Sequence, residues 1–212
     1  MPALVTILIT DARHPIQPWL RRWAEQNAGE AEIRIVGHSA QATGGDILFL
    51  VSCHEIIKAS VRERYMHTLV LHASDLPQGK GMSPHVWQIL EGRTELTVTL
   101  LEAADALDAG DIWHQQRFTV PTTALHDEIH AALFQAELDL MTWALRHHRS
   151  VQPRKQSGTE TFYRKRRPED SCIALETPLG EAFNLLRIAD PERYPAFFEV
   201  DGVRFKITIQ RM

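Results

Sequence analysis

Four short runs of β-forming residues recur in the first third of the chain, and helical patterns separate several of them. The runs occupy residues 4–10, 31–36, 46–52 and 67–72. The first and third lack polar alternation, which is typical of strands in a parallel sheet covered on both faces. Helical patterns occur at 18–27 and 56–65. Strands that alternate with helices in this way predict a doubly wound α/β domain.

Further patterns extend this domain to about residue 150. They are a proline-led helix at 84–90, a strand at 95–102, its partner at 111–120 and the longest helix at 123–147. The pattern fails after His148, and residues 152–158 resemble a linker. Beyond the linker we expect a helix at 178–188 and strands at 196–200 and 203–209. Asp201-Gly202 between these strands is a hairpin signal. The predicted domains are therefore 1–150 and a small subdomain, 151–212.

Composition narrows the class of protein. With 212 residues, of which 44% are hydrophobic and 24% charged, the chain has the balance of a globular protein. Its sequence contains no apolar run as long as a membrane span and no secretory signal at the N-terminus. Cys53 and Cys172 form no CxxC pair, so neither a disulfide framework nor a cysteine-rich metal site is expected. We expect a cytoplasmic protein without membrane contacts.

Charge is spread unevenly between the two predicted domains. Residues 1–150 carry 12 basic and 18 acidic side chains, and residues 151–212 carry 11 and 9, for a net charge of −4. A long tRNA surface favours a more basic protein, so no nucleic-acid partner is expected. The basic run from Arg164 to Arg167 is explained equally well by a solvated linker or by contact with a phosphate-bearing ligand.

General active-site motifs are missing from the sequence. It has no GxGxxG after the first strand, no Walker loop and no GxSxG elbow. His126 and His130 share a predicted helical face, but Asp127 stands where the metalloprotease pattern has glutamate, and the sequence offers no obvious third ligand. No metal site is expected. Cys53 and His54 follow a strand, but adjacency in sequence does not make Cys53 a nucleophile.

Two longer stretches carry a more specific signal. The first is LVLHASDLPQGKGMSPHVW, with His72, Ser74, Leu76, Pro77, Gly81, Pro84 and Trp87, and the second is Leu107-Asp108-Ala109-Gly110-Asp111. Together they resemble the formyltransferases that use 10-formyltetrahydrofolate as formyl donor. The resemblance implies a doubly wound Rossmann-like formyltransferase domain with a small C-terminal α+β subdomain. It covers most of residues 45–120 and 158–207.

The chemistry of formyl transfer suits the residues in these stretches. An amine attacks an amide-like carbonyl, and a tetrahedral oxyanion forms. His72 is predicted to donate to that oxygen or to move the amine proton, and Asp108 to orient and charge the imidazole. A core histidine and a turn aspartate are the simpler explanations of each residue alone. Val70 stands where the family has asparagine and cannot donate a hydrogen bond, and Ser52 and His54 are the candidates to compensate.

The resemblance also implies two binding surfaces. Folate would contact Ser52, Cys53, His54 and Ile56 after the third strand, and Ala104, Asp105 and Leu107 before Asp108. Substrate would contact Ser74, Lys80, Gly81 and Arg164, although a solvated loop position explains Lys80 and Arg164 equally well. Residues 158–207 are similar to the enzyme that formylates UDP-4-amino-4-deoxy-arabinose. We therefore expect a nucleotide-linked amino sugar as acceptor, in surface-glycan pathways such as pseudaminic acid synthesis.

Several alternatives stay open. The acceptor is methionyl-tRNA or a purine precursor in two of them, and in the third the protein is a non-catalytic relative that binds folate or a nucleotide sugar. The net negative charge of the protein and its short C-terminal subdomain argue against methionyl-tRNA as acceptor. The presence of that C-terminal segment argues against a purine precursor. Val70 permits the third alternative, whereas retention of both His72 and Asp108 counts against it. A homodimer formed through the C-terminal hairpin is also left open.

Overall fold

The structure, a computed structural model, describes residues 2–212 and shows ten strands and five α-helices within that range. The elements are β1 (Ala3–Leu8), α1 (Gln17–Gln26), β2 (Ala31–Val36), β3 (Gly45–Leu50), α2 (Ala59–Arg62), β4 (Tyr65–His72), β5 (Lys80–Gly81), α3 (Pro84–Leu90), β6 (Glu95–Glu102), β7 (Ile112–Thr119), α4 (His126–His147), β8 (Phe162–Tyr163), α5 (Leu179–Ile188), β9 (Ala196–Val200) and β10 (Val203–Ile207). None of the helices in residues 2–212 has the length and apolar character needed to cross a membrane.

Six strands form one sheet in the order β2-β1-β3-β4-β6-β7. The pairs among β1 to β4 are parallel, and those that involve β6 and β7 are antiparallel. This mixed α/β sheet confirms the predicted fold class. The chain passes from β2 to the other side of β1 to form β3, so the strand order reverses between β1 and β3. Ligands of open α/β sheets bind outside the carboxyl ends of the strands at such a reversal.

Both faces of the sheet are buried, as the continuous apolar runs predict. Phe49 and Leu69 point to one face, in the same cluster as Leu140 of α4. Leu48 and Leu50 point to the other face, where α2 and the loops around it supply the cover. Because successive side chains of a strand alternate between faces, a strand covered on both sides is apolar throughout.

The third strand and the helix after it are shorter than predicted. β3 ends at Leu50 because the backbone of Ser52 turns into the left-handed region, with φ of 44°. The helix expected at 56–65 is reduced to α2, which begins only after Lys58, itself extended with ψ of 154°. Ile57 is nevertheless buried, although it lies in the extended segment before α2 and not on a helix. An apolar residue that packs from a loop gives the same sequence signal as one on a helical face.

The C-terminal part combines a helix, a hairpin and a strand that returns to the main domain. β9 and β10 pair in antiparallel fashion through Asp201 and Gly202, whose φ angles of 50° and 78° fit the predicted turn. The guanidinium of Arg187 in α5 is buried and donates to the carbonyl of Pro121 at 3.2 Å. β8 pairs in parallel with β5, so residues 162–163 lie against the loop that follows β4.

Candidate active site

The two motifs predicted from the sequence meet at His72 and Asp108. His72 is the last residue of β4, at the carboxyl edge of the sheet and next to β3. Its Nδ1 atom lies 3.6 Å from Oδ1 of Asp108, and both side chains are 7% exposed. Electrostatic interactions are stronger in such shielded surroundings than in water. A charge that develops beside this pair would therefore interact with it more strongly than it would in water.

The glycine-containing loop after β4 supplies the other partners of this pair. Nε2 of His72 donates to the carbonyl of Gly79 at 2.8 Å, and the N–H of Gly81 donates to Oδ2 of Asp108 at 2.9 Å. A Cβ at Gly81 would stand 2.2 Å from the carbonyl oxygen of Tyr163 in β8, and its φ is 100°. Only glycine fits this backbone approach, which explains Gly81 physically.

The turn that carries Asp108 is held by its own backbone contacts. Asp108 has a φ of 51°, which aspartate tolerates better than most residues. The side-chain amide of Gln156 donates to the carbonyls of Asp108 and Gly110, at 2.8 and 2.9 Å. A Cβ at Gly110 would lie 1.7 Å from the carbonyl oxygen of Glu102, so glycine is required there as well. These contacts fix where the Asp108 carboxylate points.

Both ring nitrogens of His72 face hydrogen-bond acceptors. The Gly79 carbonyl accepts from Nε2, and the Asp108 carboxylate faces Nδ1. A carbonyl oxygen can only accept, so Nε2 carries a proton, and the Asp108 carboxylate lies where it can orient the ring. Nε2 has to leave Gly79, or share its proton, before His72 can donate to a substrate oxygen.

A second hydrogen-bonded pair lies at the strand reversal; one member, Ser52, was named from the sequence, and the other, His14, was missed. Nε2 of His14, in the loop after β1, is 3.0 Å from Oγ of Ser52, just after β3. The N–H of Ile16 donates to Nδ1 of the same ring at 3.3 Å. Burial, with a smaller effect of Arg193, lowers the pKa of His14 to about 4. A single histidine in a proline-flanked loop gives no sequence signal that it contacts the residue after β3.

The loops predicted to contact folate expose apolar side chains. Ile56 after β3 is 94% exposed and Leu107 before Asp108 is 65% exposed. Cys53 packs in the apolar cluster that also contains Ala103. Ala104 and His54 are exposed, and Asp105 forms an ion pair with Arg62 of α2. Burial raises the pKa of the Cys53 thiol, which disfavours a nucleophilic thiolate.

The residues predicted to contact substrate lie in different surroundings. The Lys80 side chain is 4% exposed, and its ammonium contacts Glu160 at 2.6 Å. A diphosphate contact by Lys80 would require this ion pair to open. Arg164 is exposed, binds Asp170 at 2.7 Å and lies over the Trp87 ring, 4.8 Å from its centroid. Ser74 is 1% exposed, and its hydroxyl has no partner among residues 2–212.

The two helical histidines pack in an aromatic cluster. His126 and His130 have ring centroids 4.2 Å apart, and His130 also stacks on Phe134 and approaches His85 of α3. Burial lowers the pKa of His130 to about 2 and that of His85 to about 4, so both rings are neutral near pH 7. Residues 2–212 contain no group of three or more histidine, cysteine, aspartate or glutamate side chains that could hold a metal ion.

Comparison with known proteins gives one family and several similar folds. The sequence matches the family described as "Formyl transferase" over residues 10–145. The methionyl-tRNA formyltransferase from Clostridium thermocellum superposes with a TM-score of 0.84 at 22% identity, over 99% of this chain and 93% of that chain. A sugar N-formyltransferase from Shewanella sp FDAARGOS_354 gives 0.74 at 14% identity, over 99% and 98%.

A third similar structure belongs to a longer protein. HypX from Aquifex aeolicus, solved in complex with tetrahydrofolic acid, superposes with a TM-score of 0.83 at 19% identity. The match covers 99% of this chain but only 38% of HypX, so the present chain spans less than two fifths of that protein. At such identities the likeness establishes a shared fold.

Proposed function

The chain belongs to the formyl transferase family, and we propose that this enzyme moves the formyl group of 10-formyltetrahydrofolate to the amine of a nucleotide-linked amino sugar. The observation that carries the proposal is the His72–Asp108 pair, 3.6 Å apart and shielded from water at the carboxyl edge of the sheet. An imidazole N–H in that position suits a reaction that develops negative charge on an oxygen.

In the proposed reaction the acceptor amine attacks the formyl carbon, and a new C–N bond forms. The carbonyl electrons move to oxygen, then return as the bond between the formyl carbon and the folate nitrogen breaks. The acceptor amine loses one proton, and the folate nitrogen gains one. His72 would stabilise the oxyanion and assist these proton transfers, while Asp108 would hold its ring in position. Release of Nε2 from the Gly79 carbonyl would accompany substrate binding.

The formyl donor, 10-formyltetrahydrofolate, would lie between the loop after β3 and the loop before Asp108. Ile56 and Leu107 support this placement, because large apolar side chains exposed at two adjoining loops are suited to cover a flat ring. HypX, whose fold is similar, was solved with tetrahydrofolic acid bound, and this supports a folate donor here. Exposed Ala104 and His54 would add backbone contacts.

The acceptor is the part of the proposal that depends most on sequence resemblance. Residues 158–207 resemble the sugar-amine branch, and an acidic main domain argues against tRNA. Arg164 would meet the diphosphate by exchanging its contact with Asp170, and Lys80 by opening its pair with Glu160. The proposal includes a cytoplasmic reaction in surface-glycan synthesis and a second copy of the chain at the β9–β10 hairpin.

A second candidate function is binding of folate or a nucleotide sugar without turnover. Two observations favour it, the Gly79 carbonyl that occupies Nε2 of His72 and the apolar side chain of Val70. Such a protein would bind tetrahydrofolate and leave every acceptor unchanged.

Mass spectrometry of UDP-linked amino sugars incubated with the protein and 10-formyltetrahydrofolate tests both candidates. We expect one sugar to gain a formyl group, and His72→Ala to abolish the gain. Lys80→Met and Arg164→Met should raise the KM for that sugar if these cations contact its diphosphate. Folate binding without any formylated product, with methionyl-tRNA and glycinamide ribonucleotide included as acceptors, would decide for the non-catalytic alternative.

A further inference from the structure

The groups around His72 leave the developing oxyanion short of a hydrogen-bond donor. Val70, two residues before His72 on β4, has no polar atom in its side chain, so it adds no donor to the one that His72 would supply once Nε2 leaves Gly79. The hydroxyl of Ser74 is buried, with the residue 1% exposed. Losing one oxyanion donor typically costs about 10²–10³ in kcat. Another donor is therefore expected at this edge of the sheet.

Ser52 occupies the matching position on the neighbouring strand. Leu50 of β3 pairs in parallel with Val70 of β4, and Ser52 and His72 each follow two residues later. Both residues therefore lie at the carboxyl edge, on adjacent strands, and Ser52 is half-buried rather than sealed from ligands. Its position beside the strand reversal is where ligands of α/β sheets bind.

The hydrogen bonds of His14 determine what the Ser52 hydroxyl can do. The N–H of Ile16 donates to Nδ1 of His14, so in the neutral ring the proton is on Nε2. Nε2 then donates to Oγ of Ser52 across 3.0 Å, and Ser52 keeps its own proton for another acceptor. Within residues 2–212 the hydroxyl proton of Ser52 has no hydrogen-bond acceptor when His14 is in this tautomer. The lowered pKa of His14, about 4 through burial, keeps the ring neutral at ordinary pH.

The backbone around Ser52 is held in an unusual conformation. Its φ of 44° is in the left-handed region, which is uncommon for serine. Thr10, after β1, braces this turn, because its hydroxyl donates to the Ser52 carbonyl at 3.4 Å and accepts from the N–H of His54 at 2.9 Å. Strained residues held by several contacts are concentrated at functional sites.

We propose that the Ser52 hydroxyl donates a hydrogen bond to the formyl oxygen during transfer, and that His14 is the positioning residue that directs this hydroxyl. The inference rests on the proposed formyl transfer. It excludes a Ser–His nucleophile at the same place, because a ring with its proton on Nε2 cannot accept the serine proton. Ser52 thus supplies the donor that Val70 lacks.

Steady-state kinetics tests the role of the hydroxyl, with the UDP-linked amino sugar that gains a formyl group in the mass-spectrometry screen as acceptor. Ser52→Ala should lower kcat by about 10²–10³ and change both KM values little. Ser52→Gly relaxes the positive φ but lacks the hydroxyl, and it should lose as much. Ser150→Ala, in the exposed turn after α4, is the matched control and should keep the wild-type rate. A wild-type kcat in Ser52→Ala or Ser52→Gly would overturn the proposal.

A second variant tests the position of the target oxygen. In the Ser52→Ala background, Val70→Asn brings an amide donor to the adjacent strand and should restore kcat at least tenfold over Ser52→Ala. A double variant no faster than Ser52→Ala would show that Ser52 does not serve the formyl oxygen.

A spectroscopic measurement separates this inference from the proposed function. The ¹⁵N spectrum of the histidine side chains at pH 7 should show His14 with its proton on Nε2, and Ser52→Ala should shift that nitrogen. A proton on Nδ1 would overturn the role of His14 whether or not the protein turns over. Absence of wild-type turnover with every acceptor would contradict the proposed function and, with it, the donation by Ser52 to a formyl oxygen, whereas the tautomer tests the role of His14 independently of turnover.

Discussion

Oδ1 of Asp108 faces Nδ1 of His72 across 3.6 Å while Oδ2 of the same carboxylate accepts from the N–H of Gly81. One aspartate thus links the residue proposed for chemistry to the loop that surrounds it. Asp108→Asn keeps an oxygen for Gly81 but removes the charge beside the imidazole. We expect kcat to fall by about 10²–10⁴, the usual contribution of acid–base groups, with a nearly unchanged free energy of unfolding.

Asp201→Asn is the matched control for that substitution. Asp201 also has a left-handed backbone, with φ of 50° against 51° for Asp108, but it lies exposed in the β9–β10 turn. Its substitution should leave kcat unchanged. Equal rates for Asp108→Asn and Asp201→Asn would remove Asp108 from the proposed mechanism.

Replacement of Gly110 by alanine should destabilise the fold as well as the site. The new Cβ would lie 1.7 Å from the Glu102 carbonyl, so the Asp108 turn or the end of β6 has to move. We expect a loss of about 1–3 kcal/mol, measured by urea unfolding. Gly180→Ala, where nothing lies within 4 Å of the added atom, should be neutral or slightly stabilising because it removes a glycine from α5.

Folate affinity should depend on the two exposed apolar residues of the donor loops. Ile56→Ser and Leu107→Ser should each weaken tetrahydrofolate binding roughly 5- to 30-fold, since each removes about 1–2 kcal/mol of apolar contact. Fluorescence titration measures the effect. Leu179→Ser, on α5 and 78% exposed, provides the comparison and should bind folate normally. Unchanged affinity in both loop variants would place the pterin elsewhere.

Stability should fall as pH is lowered from about 6.5 towards 4. Burial lowers the pKa of His14 and His85 to about 4 and that of His130 to about 2, from 6.5. The unfolded chain therefore binds these protons first, and each histidine costs roughly 1–2 kcal/mol at pH 5. Glu137 acts in the opposite direction, because burial raises its pKa to about 8 and its protonation stabilises the fold as pH falls.

The contribution of one histidine can be isolated by substitution. His130→Phe keeps a ring against Phe134, 5.2 Å away between centroids, but cannot be protonated. Urea midpoints measured between pH 7 and pH 4.5 should then fall less steeply than in the wild type. His147→Gln, on the exposed surface of α4, should leave the slope as it was. A slope unaffected by His130→Phe would show that other groups set the acid response.

The sheet could be predicted from sequence because burial on two faces leaves a direct signal. β2 and β6 have the predicted bounds, and β4 ends at His72 as predicted. Pairing of β5 with β8 left no such signal, since two short segments far apart in the chain meet through backbone groups. The linker composition of 152–158 likewise hid Gln156, whose side chain holds the Asp108 turn.

The site was predictable only where motifs carried it. His72 and Asp108 lie in recognisable sequence and meet in the structure. His14 does not, because its proposed role depends on a contact with Ser52, 38 residues away in sequence, that exists only once β1 and β3 are side by side. Burial of Lys80 was equally hidden, since a lysine between two glycines indicates a solvated loop.

The pairing of β8 with β5 makes the loop after β4 depend on residues from the C-terminal part of the chain. A chain ending at residue 150 would keep all six strands of the main sheet, yet it would lack Thr161, whose hydroxyl accepts from the N–H of Gly79, and the carbonyl of Tyr163 above Gly81. It would also leave the buried ammonium of Lys80 without Glu160. Exchange of the C-terminal segment would therefore alter the backbone of the loop that contacts His72 and Asp108, so a change made to the proposed acceptor surface would also reach the proposed catalytic pair.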